Sequence, residues 1–344
     1  MSVFVKHQHT VCDFSSSDSW VILSPIEQSI KRKIEAVGTP LKDWDIQINY
    51  GIKTGYNEAF IITTEKRDEI LSNCHSEDER QRTAELIRPI LRGRDIKRYG
   101  YDWANLYLIA TFPACHYDIG AYPAVREYLL SFAEENLRNS GNSWVADHYL
   151  ADYCKQKLSQ TGKFIEIDGK RIIIKGTAEK ARKKTSNKWF ETQDSISYWE
   201  DFLKPKIVYM EIQTDNPKEG YPFPCFSYDN NKSVVLNTAY VMSSNSFDTR
   251  YILGILNSKL GKFLVKLYVT QLQERQFRML AQYVSNFPIV KPRKDIEEQM
   301  SSLVQQMLEM KDAEIERQID DLAYSIYNMT NNETELFNKE IDRE

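Results

Sequence analysis

The chain has 344 residues, 42% of them hydrophobic and 12% aromatic, enough to bury a sizeable core without disulfide or metal staples and too apolar for a disordered protein. No apolar run approaches the roughly 18 residues of a membrane helix, and the start, Met1 to His7, lacks the charged-then-apolar pattern of a secretory leader. Five scattered cysteines (12, 74, 115, 154 and 225) without a Cys-x-x-Cys pattern argue against a disulfide framework or a zinc site and for reduced thiols in a cytoplasmic protein.

The net charge of −4 hides a split: from Asp295 to Glu344, 14 acidic residues face 4 basic ones, a balance of −10 that leaves +6 on the preceding body. Two stretches concentrate the positive charge, Lys155 to Lys188 with 11 basic against 3 acidic residues and Arg250 to Lys294 with 9 against 1. A basic body suits a surface that releases counterions on meeting nucleic acid.

In chain order, Ile26 to Val37 has apolar residues at helical spacing and predicts a lead-in helix within residues 1–45. From Asp45 the pattern turns to short alternating or apolar runs that predict strands at Ile46 to Ile52, Glu58 to Thr63, Tyr107 to Phe112, Lys163 to Ile174, Lys206 to Ile212 and Val234 to Val241. Helical spacing recurs at Glu65 to Asn73, Tyr122 to Asn139, Tyr198 to Leu203 and Thr249 to Tyr268. Strands and helices interleave without regular βαβ alternation, which predicts an α+β fold with a mixed sheet. Asp168-Gly169, between two alternating apolar runs, predicts a basic hairpin inside an insertion at about 140–186. After Pro288 and Pro292, the apolar stripes Met300, Leu303, Val304, Met307, Leu308 and Ile315, Ile319, Leu322, Ala323, Ile326 predict an antiparallel helical hairpin in an acidic segment, 291–344.

The segments with the most chemistry are Gly51-Ile52-Lys53-Thr54-Gly55-Tyr56-Asn57-Glu58-Ala59-Phe60 and Ile90-Leu91-Arg92-Gly93-Arg94-Asp95-Ile96-Lys97-Arg98-Tyr99. Glycines permit tight turns or close backbone approach, and cations beside such turns suit a phosphate backbone. Together with Pro40-Leu41-Lys42-Asp43, Lys188 to Asp194, Lys204 to Tyr209, Tyr251 to Leu260, Phe287-Pro288-Ile289 and Ile319 to Tyr327, in that order, they resemble the TaqI-like C-terminal specificity domain, the target-recognition region of Type IIG restriction-modification enzymes and related adenine methyltransferases.

The resemblance implies that residues 46–290 bind double-stranded DNA, with an adenine methyltransferase, and possibly a nuclease, as partner domain or subunit. S-adenosylmethionine is then expected in that catalytic partner and no cofactor in this chain: Asn216-Pro217-Lys218-Glu219 lacks the second proline and the aromatic of an Asn-Pro-Pro-Tyr motif and reads as a turn. Expected phosphate contacts are Lys53, Thr54, Arg92, Arg94, Lys97, Arg98, Lys204 and Lys206. Candidates for reading base edges are Asn57, Arg94, Arg275, Gln276 and Arg278, since Arg suits guanine and Asn or Gln suits adenine. Lys170 and Arg171 on the insertion hairpin are further candidates. Two alternatives stand beside this reading: a metal-dependent nuclease using Glu166 and Asp168, or a pure assembly module for a methyltransferase. No histidine pair has ligand spacing, and no catalytic residue is assigned.

Overall fold

Alternation along a few central strands decides the architecture. The structure, a computed structural model, describes residues 23–129, 164–167, 170–173, 187–188, 190–216, 222–273 and 275–341. In chain order the strands are β1 (Thr39–Pro40), β2 (Ile46–Tyr50), β3 (Ile61–Thr63), β4 (Ile87–Leu91), β5 (Leu106–Ile109), β6 (Phe164–Ile167), β7 (Lys170–Ile173), β8 (Lys206–Met210), β9 (Ile212–Thr214), β10 (Phe226–Asp229), β11 (Val234–Val235), β12 (Ala239–Ser244), β13 (Gln271–Gln273), β14 (Gln276–Arg278) and β15 (Pro288–Ile289).

The central sheet is antiparallel in the order β10-β8-β12-β2. Successive strand residues point to opposite faces, so each strand feeds two cores. Ile207, Tyr209, Tyr240 and Met242 enter a core shared with the helices Pro25–Val37, Thr249–Asn257, Lys259–Tyr268, Lys294–Glu309, Ala313–Ile326 and Asn331–Ile341. Val208, Ala239 and Val241 enter the other, against Ile90, Leu91, Leu108 and Ile109 of a second sheet ordered β11-β4-β5-β3, with Phe190 and Phe202. Only β11 and β4 in that second sheet run parallel. The result is an α+β domain with helices on one face of the central sheet and a mixed sheet on the other.

Tyr50, Tyr240, Tyr209 and Phe226 occupy one row of register across the four central strands. Their rings meet in sequence at centroid separations of 5.5, 5.4 and 5.2 Å. Such cross-strand aromatic pairs contribute roughly 0.2–1 kcal/mol each and fix the register of the sheet. Under them lies a buried ion pair. Lys206 and Asp229 are both inaccessible to solvent and meet at 2.5 Å. The carboxylate also accepts from Tyr101 Oη, Ser233 Oγ and the amides of Asn231 and Ser233. Burial lowers the Lys206 pKa while Asp229 pulls it back up.

The lead-in helix begins where Ser24-Pro25-Ile26-Glu27 supplies a reciprocal cap: the Glu27 carboxylate accepts from the Ser24 amide at 2.7 Å and Ser24 Oγ from the Glu27 amide at 3.4 Å. In the acidic C-terminal segment both predicted apolar stripes are used inside this chain. Met300, Leu303, Val304, Met307, Ile315, Ile319, Leu322 and Ala323 are buried in the helical core. A third helix, Asn331–Ile341, follows them and returns to the lead-in helix, where Lys33 meets Glu333 at 2.7 Å.

Several expectations need correction. The strand expected over Glu58 to Thr63 starts as a helical turn, Asn57–Phe60, and only Ile61–Thr63 pairs, with β5. The long helix over Thr249 to Tyr268 is two helices, because Ser258 is extended and caps the second one through Oγ, which accepts from the Gly261 amide at 3.2 Å. Tyr198 to Leu203 is a 3₁₀ turn over Trp199–Leu203, not an α-helix. Of the helix expected over Tyr122 to Asn139, residues 122–129 lie within the described residues, and 123–129 are helical. The sequence reading passed over the helix Glu77–Leu86 and the strands β4, β10, β13 and β14.

Candidate nucleic-acid interface

Residues 235–239, where β11 turns into β12, draw together segments far apart in the sequence. The Gly51 amide donates to Ala239 O at 2.9 Å, Ile52 to Val235 O at 2.8 Å, and Asn237 to Ile52 O at 3.0 Å. A Cβ on Gly51 would lie 2.1 Å from Leu236 O, so only glycine allows this approach. Gly55, four residues on, takes a φ of 82° that closes the turn. The second glycine block arrives at the same residues: Leu236 donates to Leu91 O at 3.0 Å, and the Gly93 amide donates to Thr238 Oγ1 at 3.1 Å. The end of β8 joins them, Glu211 donating to Thr238 O at 2.9 Å. A third block completes the edge, because Gln193 donates to the carbonyls of Lys53 and Thr54 and the Lys53 amide donates to Asp194 Oδ2 at 3.1 Å.

This clamp sets cations on one edge of the central sheet. Lys53 is exposed, its ammonium 5.1 Å from the Tyr50 ring centroid, and hydrogen bonding to Tyr50 raises its pKa above the ordinary lysine value. Arg94 is exposed on the Gly93–Asp95 turn. Arg278, nearly half exposed, meets Glu211 at 2.9 Å. Lys97 is half-buried and donates to Arg94 O at 3.1 Å. Asn57 is exposed and holds Thr54 Oγ1 at 2.7 Å, while Thr54 itself is buried and organises the turn from within.

Other expected phosphate contacts have structural roles. Lys206 is a correction: it is wholly buried against Asp229 and cannot reach a duplex. Arg98 is another, donating to the Glu316 carboxylate and to Asn257 O and so tying the second glycine block to the helix Ala313–Ile326. Arg92 is held by Asp95, whose carboxylate also accepts from the Arg92 amide. Lys204 pairs with the buried Asp201 at 2.8 Å. Lys170 and Arg171 lie on β7, paired antiparallel with β6, which carries Glu166. Asp168 and Trp189 lie outside the described residues.

Arg275, Gln276 and Arg278 sit on a hairpin, β13–β14, whose second strand pairs with β9. Arg275 closes the turn with a φ of 62°, a conformation few non-glycine residues adopt. Its guanidinium donates to Asp215 O at 3.1 Å. Gln193, Asp194, Glu211 and Thr238 hold this edge together, and the sequence reading did not single them out; Gln193-Asp194 stood in one of the family blocks, whereas Thr238 and Glu211 carry no local signal.

An antiparallel central sheet packed between a helical layer and a smaller mixed sheet, with its loop cations gathered on one edge, defines an α+β specificity-domain architecture. The chain belongs to the TaqI-like C-terminal specificity domain family, whose model matches residues 88–289, more than half of its length. Among solved structures it is similar to the Type IIL restriction-modification enzyme MmeI in complex with DNA, with a TM-score of 0.48 at 12% identity over 89% of this chain and 36% of that one. It is also similar to the type IIG restriction endonuclease BpuSI, with a TM-score of 0.44 at 11% identity over 88% and 33%. The chain thus spans about a third of the length of these enzymes. No helix among the described residues is long and apolar enough to cross a membrane.

Proposed function

We propose that this chain selects the DNA target of a Type IIG-like restriction-modification or adenine-N6 methyltransferase system, and that methyl transfer from S-adenosylmethionine, with or without cleavage, belongs to a partner domain or subunit. One observation carries the reading beyond family membership: two glycine blocks about forty residues apart in sequence are fastened to one short connection, so that Lys53 and Arg94 are held beside Thr238, with Asn57 bonded to Thr54 in the first block and Arg278 paired with Glu211, whose amide donates to the same connection. Fixed cations position a duplex by its phosphates, and planar side chains among them can read base edges. Residues 46–290 carry this surface, and the lead-in and C-terminal helices buttress it. Selection from a random duplex pool tests the reading: enrichment of a defined sequence containing adenine supports it, and a pool unchanged after several rounds contradicts it.

A further inference from the structure

Glu211 is an acid set among the cations of this edge, and its backbone is fixed on both sides. It stands between β8 and β9, its amide donating to Thr238 O at 2.9 Å and its carbonyl accepting from the Met279 amide at 2.6 Å. Arg278 is fixed as firmly: its amide donates to Thr270 O at 3.1 Å, and β14 pairs with β9. Between these anchored backbones the side chains meet through one bond, Arg278 Nε donating to Glu211 Oε1 at 2.9 Å. Among the described residues, neither terminal nitrogen of Arg278 nor Oε2 of Glu211 has a hydrogen-bond partner. Lys53 and Tyr240 both lie within electrostatic range of Glu211, and Tyr240 also within that of Arg278. Folding does not account for the pair. With side chains 47% and 20% accessible, an ion pair contributes little to stability, and a carboxylate on an edge that meets phosphates repels them. Ile212, directly opposite Arg278 in register and on the same face, is 48% accessible. An exposed isoleucine gains nothing from a phosphate, but it suits the apolar edge of a pyrimidine on a groove floor.

We propose that Glu211 and Arg278 act as one unit that reads a G·C base pair in the major groove; this rests on the DNA reading above. A G·C pair presents the guanine acceptors O6 and N7 beside the cytosine donor N4. The two terminal nitrogens of Arg278 match the acceptors, and Oε2 of Glu211 matches the donor. Glu211 also positions its partner: a guanidinium held by Nε has its plane set, so the rigid fork meets the base already oriented. An A·T pair in the same place sets the adenine N6 amino group against one arm of the fork and the thymine O4 acceptor against the carboxylate. Two like-with-like contacts replace the matched ones. A good bidentate contact discriminates about 5- to 150-fold against the wrong base. Glu211 is thus a specificity residue as well as the residue that positions Arg278.

The test is selection by the full chain from a random duplex pool, run with wild type, Glu211→Ala and Arg278→Ala. Wild type should enrich a site in which a G·C pair is preferred by about 5- to 150-fold. Both variants should lose most of that preference at one and the same position and keep the others. Base analogues at that position then probe the wild-type chain directly. 7-Deazaguanine, which lacks the N7 acceptor, should weaken wild type by about fivefold or more and leave Arg278→Ala unchanged. N4-methylcytosine, which removes the amino hydrogen facing the major groove, should weaken wild type and leave Glu211→Ala unchanged. Variants that keep the wild-type preference at every position, or lose affinity evenly at all of them, overturn the proposal. So does a wild-type chain indifferent to both analogues at every G·C pair of its site. A wild-type pool that stays unchanged removes the DNA reading itself, and this proposal with it.

Discussion

The Gly93 amide donates to Thr238 Oγ1 at 3.1 Å, and through that bond the Arg92–Asp95 turn is fixed to the connection that also receives Gly51. The position of Arg94 therefore depends on a threonine 144 residues away. Thr238→Val keeps the shape and removes the acceptor. Leaving the Gly93 amide unpaired should cost about 1–3 kcal/mol of stability and release Arg94, so chemical unfolding and duplex affinity should both fall.

Gly51→Ala should be more severe than Thr238→Val. Its Cβ would lie 2.1 Å from the Leu236 carbonyl oxygen and 2.8 Å from that of Val235, both backbone atoms that cannot rotate away. The expected outcome is a loss of several kcal/mol, of order 3 or more, seen as a lowered Tm together with loss of DNA binding. A Tm within error of wild type would mean that the two segments do not meet as described.

Lys206 and Arg94 should separate folding from binding. Lys206→Met leaves the Asp229 carboxylate buried without its cation, which should cost about 3–5 kcal/mol. Arg94→Ala should leave Tm within about 0.5 kcal/mol of wild type, weaken duplex binding and reduce the salt slope by about one. Arg98→Ala should resemble Lys206→Met, since its guanidinium holds Glu316 and Asn257 O rather than facing outward.

Asp320 makes stability depend on pH. Its carboxylate accepts from the Lys259 amide at 2.8 Å, yet burial raises its pKa to about 6. Because this exceeds the unfolded value, the unfolded chain releases the proton first, and the contribution of Asp320 to stability declines as pH rises from about 4 to about 6. Asp320→Asn keeps an acceptor for the Lys259 amide and removes the titration. Its Tm relative to wild type should therefore rise across that window and stay higher at neutral pH; a constant difference would contradict the assignment.

How much of this was legible in the sequence varied with how local the cause was. The lead-in helix was legible in the helical spacing of its apolar residues over Ile26 to Val37, and the terminal helices in stripes of three- and four-residue spacing, because periodicity is short-range. Lys206 was misread because Lys204-Pro205-Lys206 looks like a charged strand entry. Its partner Asp229 belongs to the neighbouring strand β10, a pairing no local pattern encodes. Period two did hold a hint, since Lys206 shares a face with the inward-pointing Val208. The β13–β14 hairpin was missed because Arg275 takes the positive φ of its turn, where Asn or Gly is usual. At the interface the glycines and cations were visible as types. That Thr238 and Glu211 complete the edge follows only from long-range pairing.

The most direct test of the central claim is duplex binding by the whole chain across a salt series, compared with Lys53→Glu combined with Arg94→Glu. Both residues are exposed, so the double variant should fold as wild type by circular dichroism. Wild-type affinity should fall steeply with salt, and the variant should lose most of it, with a slope lower by about two. A folded variant that binds duplex as tightly and with the same slope as wild type would contradict the claim that this edge faces DNA.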